Sequence, residues 1–313
     1  MKSIIVSEKQ SGKRLDRVIR DAFPDMPVNA MFKAFRKKDI KVNGVRVRED
    51  HIVESGDNIE VFIVDNILEG IGQNQEGKHN RGFSVIYEDS NLLVVNKEQG
   101  IPVHPDREQS KNTLIDMVQH YLKETGQYLP GNPSSFPPTL CHRLDRNTGG
   151  LVIIAKNSGS LKILLDKIKS REIKKYYQCL VQGSMERESA ELRDYLEKDE
   201  NKSRVFISSR RAKGFQEIIT RYRVLSYENG ISRLEVELVT GRTHQIRAHL
   251  AHIGHPIVGD GKYGTNAFNR PLGARIQALW AYKILFDFKD GGMLNYLKGK
   301  TFEVSPEFRV PKK

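Results

Sequence analysis

The chain has 313 residues, 38% hydrophobic and 29% charged, with 51 basic against 39 acidic side chains and a net charge of +12. That length corresponds to about two domains with at least one sizeable core. The apolar runs are too short for a transmembrane helix, and the basic excess favours a polyanionic partner. Two cysteines, Cys141 and Cys179, lack the paired spacing of a zinc site or disulfide framework. They read as small core residues in a reducing compartment. The N-terminus lacks the apolar stretch of a signal peptide, so a cytoplasmic location and no membrane association are expected.

Residues 1–63 read as a small α+β module. Leu15, Val18, Ile19 and Phe23 have helical spacing within 14–23, and Met31, Phe32 and Phe35 mark a second short helix. Asn43-Gly44 between Ile40 and Val47 predicts a tight hairpin, and Gly56-Asp57 a turn before the alternating strand 59–63. Between 32 and 48 lie Lys33, Arg36, Lys37, Lys38, Lys41, Arg46 and Arg48 against one acid, Asp39. Such an acid-poor run predicts contact with nucleic-acid phosphates. Two helices followed by a basic hairpin resemble the ribosomal-protein-S4-like RNA-binding domain. Residues 64–82 are rich in Gly, Asn, Gln and charge and read as a flexible linker.

Residues 83–313 read as one larger unit. Strands are predicted at 83–87, 92–96, 151–155, 176–181, 218–227 and 232–239, and helices at 113–121 and 158–168. Few helices and no repeated strand–helix–strand units predict an α+β fold with a mixed, largely antiparallel sheet. A second acid-poor run, with Lys202, Arg204, Arg210, Arg211 and Lys213, lies between 201 and 214. No Walker-type or dinucleotide-type glycine motif occurs.

Four segments draw attention chemically. Cys141-His-Arg-Leu-Asp-Arg-Asn-Thr-Gly-Gly-Leu151 sets Asp145 between Arg143 and Arg146 in a turn before an apolar strand. Nearby positive charge favours the carboxylate form that a nucleophile or base needs; the segment by itself is equally compatible with an Asp–Arg turn that fixes a loop. In Lys174-Lys-Tyr-Tyr-Gln-Cys-Leu-Val181, a strand would place Tyr177, Cys179 and Val181 on one face. Tyr177 then offers a ring for stacking on a base, or serves as an ordinary core tyrosine. The run Thr240-Gly-Arg-Thr-His-Gln-Ile-Arg247 follows a strand and opens a helix, with Arg242 and Arg247 as partners for a carboxylate or phosphate. Histidines 244, 249, 252 and 255 lack zinc-motif spacing and read as helix-surface and capping residues, so no metal is expected. Asn96–His104 reads as a structural Gly/Pro turn.

Together these segments resemble the RluA-type pseudouridine synthases with an S4-like domain ahead of the catalytic domain. The His-Arg-Leu-Asp motif stands at 142–145, the Lys-x-Tyr strand at Lys175 and Tyr177, and Gly-Arg-Thr-His-Gln-Ile-Arg at 241–247, followed by Gly-His-Pro-Ile at 254–257 and Gly-Asp at 259–260. Gly149 stands where that family usually has serine, and Glu98 where it usually has proline. The resemblance implies a pseudouridine synthase fold, no cofactor, and isomerisation of a uridine in RNA, foremost large-subunit ribosomal RNA. It implies Asp145 as the essential group, as nucleophile or as base. Arg247 would be its partner, and Tyr177 would lie against the uracil. Arg143, Arg242, Arg36, Lys37, Lys38, Lys41, Arg46, Arg210 and Arg211 would contact RNA, and a monomer is expected. A transfer-RNA-directed synthase, a silent RNA-binding or ribosome-assembly factor and a metal-dependent nuclease are the alternatives.

Overall fold

The computed structural model describes residues 2–23, 31, 34, 35, 39–62, 82–105, 111–199 and 204–308. The chain divides into two compact units, Met1–Asn80 and Arg81–Lys313. In the first, β1 (Lys2–Ile5), β4 (Asn58–Val61), β2 (Ile40–Val42) and β3 (Val45–Arg46) form an antiparallel sheet in that order. Helix α1 (Leu15–Ala22) buries Leu15, Val18 and Ile19 on Ile40, Ile59 and Val61, as its helical spacing requires. Asn43 and Gly44 have φ of 51° and 77°, the left-handed pair that a two-residue hairpin demands. Asn43 Oδ1 accepts the Asn58 amide at 2.8 Å, and its Nδ2 donates to Asp57 Oδ1 at 2.8 Å, tying hairpin to turn. Lys41 and Arg46 pair across this hairpin; Arg46 is exposed. Met31 and Phe35, of the second predicted helix, are helical and buried. Phe32, Lys33, Arg36, Lys37, Lys38 and the linker up to Arg81 lie outside the described residues.

The second unit is built on an eleven-stranded sheet. Its main path runs β11 (Arg204–Ser208), β10 (Ser189–Asp199), β12 (Gln216–Glu228), β13 (Ile231–Leu238), β9 (Ile173–Gln182), β14 (Leu279–Phe286), β8 (Gly149–Ala155), β6 (Leu92–Lys97) and β5 (Phe83–Glu88). β7 (Thr139–Leu140) joins β8, and β15 (Thr301–Glu303) joins β14. Every pair is antiparallel except β14 with β8. The fold is thus α+β with a mixed, mostly antiparallel sheet.

Strand β8 is buried at all seven positions. Its period of two explains the continuous apolar run: Val152 and Ile154 face one core with α2 (Leu114–Glu124), while Leu151 and Ile153 face another with α3 (Ser158–Lys169). Thr113 and Asp116 cap α2 reciprocally, and Asn157 Oδ1 accepts the Ser160 amide at 2.8 Å to start α3. Both helices are therefore anchored at their N-termini on either side of the segment that carries Asp145.

Among the strands absent from the sequence reading, two have physical explanations. β10 is masked by charge: Glu191, Arg193, Glu217, Arg221 and Glu237 form a ladder of ion pairs across β10, β12 and β13. β14 is largely buried and so lacks polar alternation. It also explains Gly149. A Cβ there would lie 2.4 Å from the Trp280 ring, and one on Gly150 (φ 115°) would lie 2.2 Å from the Ala281 carbonyl oxygen. Gly149→Ser is expected to lower stability by about 1–3 kcal/mol, and adding Trp280→Phe should recover part of it. Thermal unfolding of the single and double variants checks this; equal melting of Gly149→Ser and wild type would refute the steric account. At Glu98 the amide donates to the Gly82 carbonyl at 3.0 Å, a hydrogen bond that proline lacks.

Candidate active site

Asp145 sits in the turn between β7 and β8, with half-buried surroundings and a side chain 20% exposed. The turn closes through the Thr148 amide, which donates to the Asp145 carbonyl at 3.0 Å, and Leu144 plugs it into the core. His142 is part of this scaffold. Its Nε2 accepts the Ile153 amide at 3.1 Å, and burial pushes its pKa down to about 3, so the ring is a neutral strand partner. A second clamp comes from the end of β6. The ammonium of Lys97, fully buried, donates to the carbonyls of Glu98, Ile101 and Arg146 at 2.9, 2.8 and 3.1 Å. Gln99 Nε2 donates to Asn147 and Gln277 carbonyls at 2.9 and 2.8 Å. Burial pushes the Lys97 amine down to about 7, while the charge of Asp145 acts in the opposite direction. The turn 96–104, which reads as merely structural, therefore fixes the loop of the carboxylate.

The cation that meets Asp145 comes from 102 residues further on: Arg247 Nη1 donates to Asp145 Oδ2 at 2.7 Å. Arg247 lies in α4 (Gln245–His252), and its other edge is bidentate on Asp260, with Nε–Oδ2 2.7 Å and Nη2–Oδ1 3.0 Å. The amides of Lys262 and Tyr263 donate to Asp260 Oδ1 at 2.8 and 3.0 Å. Burial raises the Asp260 pKa, but these bonds outweigh it and hold the carboxyl below its usual range. Burial works against the charge of Arg247 as well, yet its two acids raise its pKa above the ordinary value. A planar guanidinium with a fixed fork suits this double duty better than an ammonium.

The entry to α4 is strained and well supported. His244 has φ 53°, and its Nδ1 lies 3.0 Å from the Tyr263 hydroxyl. Burial pushes His244 down to about 4, so the neutral ring accepts the Tyr263 proton while that hydroxyl accepts the Val205 amide at 2.9 Å. Gln245 Oε1 accepts from Thr240 Oγ1 and the Arg242 amide at 2.9 and 3.1 Å, which holds the 240–242 loop. The histidines depart from the sequence reading at one position. His249 is not on the helix surface; it is fully buried, 2.9 Å from Thr220 Oγ1 and 3.0 Å from Asp194 Oδ2. Both ring nitrogens are used, which turns a polar residue into core.

Tyr177 stands on β9, 4% exposed, with its phenol pKa raised by burial and then by the Asp145 charge. It is a neutral hydroxyl beside a carboxylate. Asp145, Tyr177, Arg247, Arg143 and Arg242 all line one cavity of about 480 Å³, within the usual size for a small-molecule site. Lys169, Arg171 and Lys174 add positive charge to its rim. The profile of the RNA pseudouridylate synthase family matches residues 91–252, which span β6 to α4. An uncharacterized RNA pseudouridine synthase of Chlorobaculum parvum (strain DSM 263 / NCIMB 8327) is 32% identical over 83% of this chain and 77% of its own length.

The chain belongs to the RNA pseudouridine synthases.

It is therefore an isomerase acting on RNA. Ribosomal large subunit pseudouridine synthase C of Vibrio cholerae serotype O1 is 28% identical over 85% of this chain and 81% of its own length. The structure titled human RNA pseudouridylate synthase domain containing 4 shares the fold, with a TM-score of 0.56 over 73% of this chain and 88% of its own, at 21% identity. Among the expected RNA contacts, Arg143 and Arg242 are exposed at the cavity, whereas exposed Arg210 and Arg211 lie on the connection from β11 to β12 and do not line it. Lys41 and Arg46 belong to the first unit, and Arg36, Lys37 and Lys38 lie outside the described residues. Reading residues missed Lys97, Asp260 as the anchor of Arg247, and Tyr263 beneath it (guanidinium 5.3 Å from the ring centre). Only the Gly259-Asp260 step of the family pattern signals the second of these.

Proposed function

We propose that the chain converts uridine to pseudouridine in large-subunit ribosomal RNA, acting as a cytoplasmic monomer, with Asp145 as the essential group. The observation that carries this reading is the Asp145–Arg247 contact of 2.7 Å in a cavity where Tyr177 is buried alongside. The bond from ribose C1′ to uracil N1 breaks, the ring turns, and C1′ joins C5; the C5 proton leaves and N1 gains one. Atoms and electrons balance without any redox partner. Asp145 starts the reaction by giving an electron pair, to the nucleotide itself or to a sugar proton. Tyr177 lies against the uracil face and, as a neutral phenol, moves a proton at the end. A target base leaves its stack at a cost of a few kcal/mol, offset by cationic contacts from Arg143, Arg242, Arg210 and Arg211.

Residues 1–63 would act as an S4-like RNA-binding module, joined through 64–82 to the catalytic domain 83–313, with Lys41, Arg46, Arg36, Lys37 and Lys38 on phosphates. The basic hairpin in an antiparallel sheet supports this reading, as does the ribosomal target in the names of the relatives. The test is twofold. The purified protein should release tritium from 5-tritiated uridine in large-subunit ribosomal RNA transcripts, and pseudouridine mapping of cells with and without it should show sites lost from that RNA. Sites lost only from transfer RNA would overturn the ribosomal assignment.

A further inference from the structure

Strand β9 brings a second polar side chain into the cavity. Lys175 is two residues before Tyr177 and shares its face, and it lines the same cavity, half-buried. Its neighbour Lys174 is paired with Asp287 at 2.7 Å. The 240–242 loop passes over the Lys175 amine, since a Cβ on Gly241 would lie 3.6 Å from Nζ. The other enclosed cations of this region are compensated: Arg247 by two carboxylates and Lys97 by three carbonyls. Lys175 has neither an acid nor a hydrogen-bond partner among the described residues, and burial lowers its pKa to about 8. The carboxylate of Glu237, which also lines the cavity, is taken by Arg221 at 3.2 Å.

A cation left without counter-charge in a partly dry wall is costly, and an incoming anion reverses that cost. Uracil and ribose are neutral; the anion that a target nucleotide carries is its phosphate. Two residues of a strand span roughly 6–7 Å, which matches the reach from a base on Tyr177 to the phosphate of the same nucleotide. We propose that Lys175 is a substrate anchor that binds a phosphate flanking the target uridine. The proposal rests on the reading of the cavity as a uridine site.

Calorimetric titration with uridine, uridine 3′-monophosphate and uridine 5′-monophosphate separates the two ideas. Wild type should bind one of the monophosphates about tenfold more tightly than uridine, the worth of one charged hydrogen bond. In Lys175→Met that preference should vanish while uridine affinity stays, and Lys175→Arg should keep most of it. Thermal unfolding should place Lys175→Met no lower than wild type, because it removes an uncompensated charge. A phosphate preference that persists in Lys175→Met, or is missing from a wild type that binds uridine, overturns the anchor alone. Failure of wild type to bind all three compounds overturns the uridine-site reading and the anchor with it.

Discussion

Asp145→Asn is expected to lower tritium release from 5-tritiated uridine in RNA by about 10³-fold or more, the scale of losing a group that acts directly on the reacting atoms. The substitution is nearly isosteric. The amide oxygen can still accept from Arg247 Nη1, now at 2.7 Å from the carboxylate, and Arg247 keeps both contacts to Asp260. Folding and RNA binding should therefore survive, which filter binding and thermal unfolding will check. The chemistry should not survive, because a neutral amide neither attacks nor accepts a proton effectively. Near-wild-type turnover in this variant would remove Asp145 from the mechanism.

Arg247→Met is expected to cost about 3–5 kcal/mol of stability, because it leaves the fully buried Asp260 without its cation. Activity should vanish too, since Asp145 loses its partner. The pairing of variants separates these effects. Arg247→Met combined with Asp260→Asn removes the stranded charge and should restore most of the stability, while activity stays lost. The pH dependence has a definite sign. In wild type the Asp260 pKa is depressed, so its pairing stabilises the fold above the unfolded carboxylate pKa and is lost as pH falls through the folded one. Without Arg247, burial dominates and raises that pKa. The stability gap between wild type and Arg247→Met should therefore be widest near neutral pH and narrow on the acid side, as Asp260 takes up a proton. Denaturant unfolding across pH measures it; a gap independent of pH would show that lost packing, not a stranded carboxylate, governs the variant.

Much of the architecture is legible in local pattern. The apolar run at 151–155, the capping signals Thr113 and Asn157 and the pair Asn43-Gly44 each act within a few residues, so β8, α2, α3 and the first hairpin follow from neighbours alone. Strand β10, between β11 and β12, is another matter. β10 looks polar because its charges are satisfied across strands rather than along the chain. His249 looks like a surface residue because Thr220 and Asp194, its partners, are distant in sequence.

The site divides in the same way. The sequence by itself determined the family pattern, with Asp145, Tyr177 and Arg247 as the residues to watch, and the basic excess that suits RNA. Tertiary structure decided what each of them meets. It brought Arg247 to Asp145 across 102 residues, anchored it on Asp260, set buried Lys97 beneath the loop and left Lys175 without an acid among the described residues. Short-range spacing is written in the backbone period, whereas charge compensation depends on through-space distance, which only the folded chain defines.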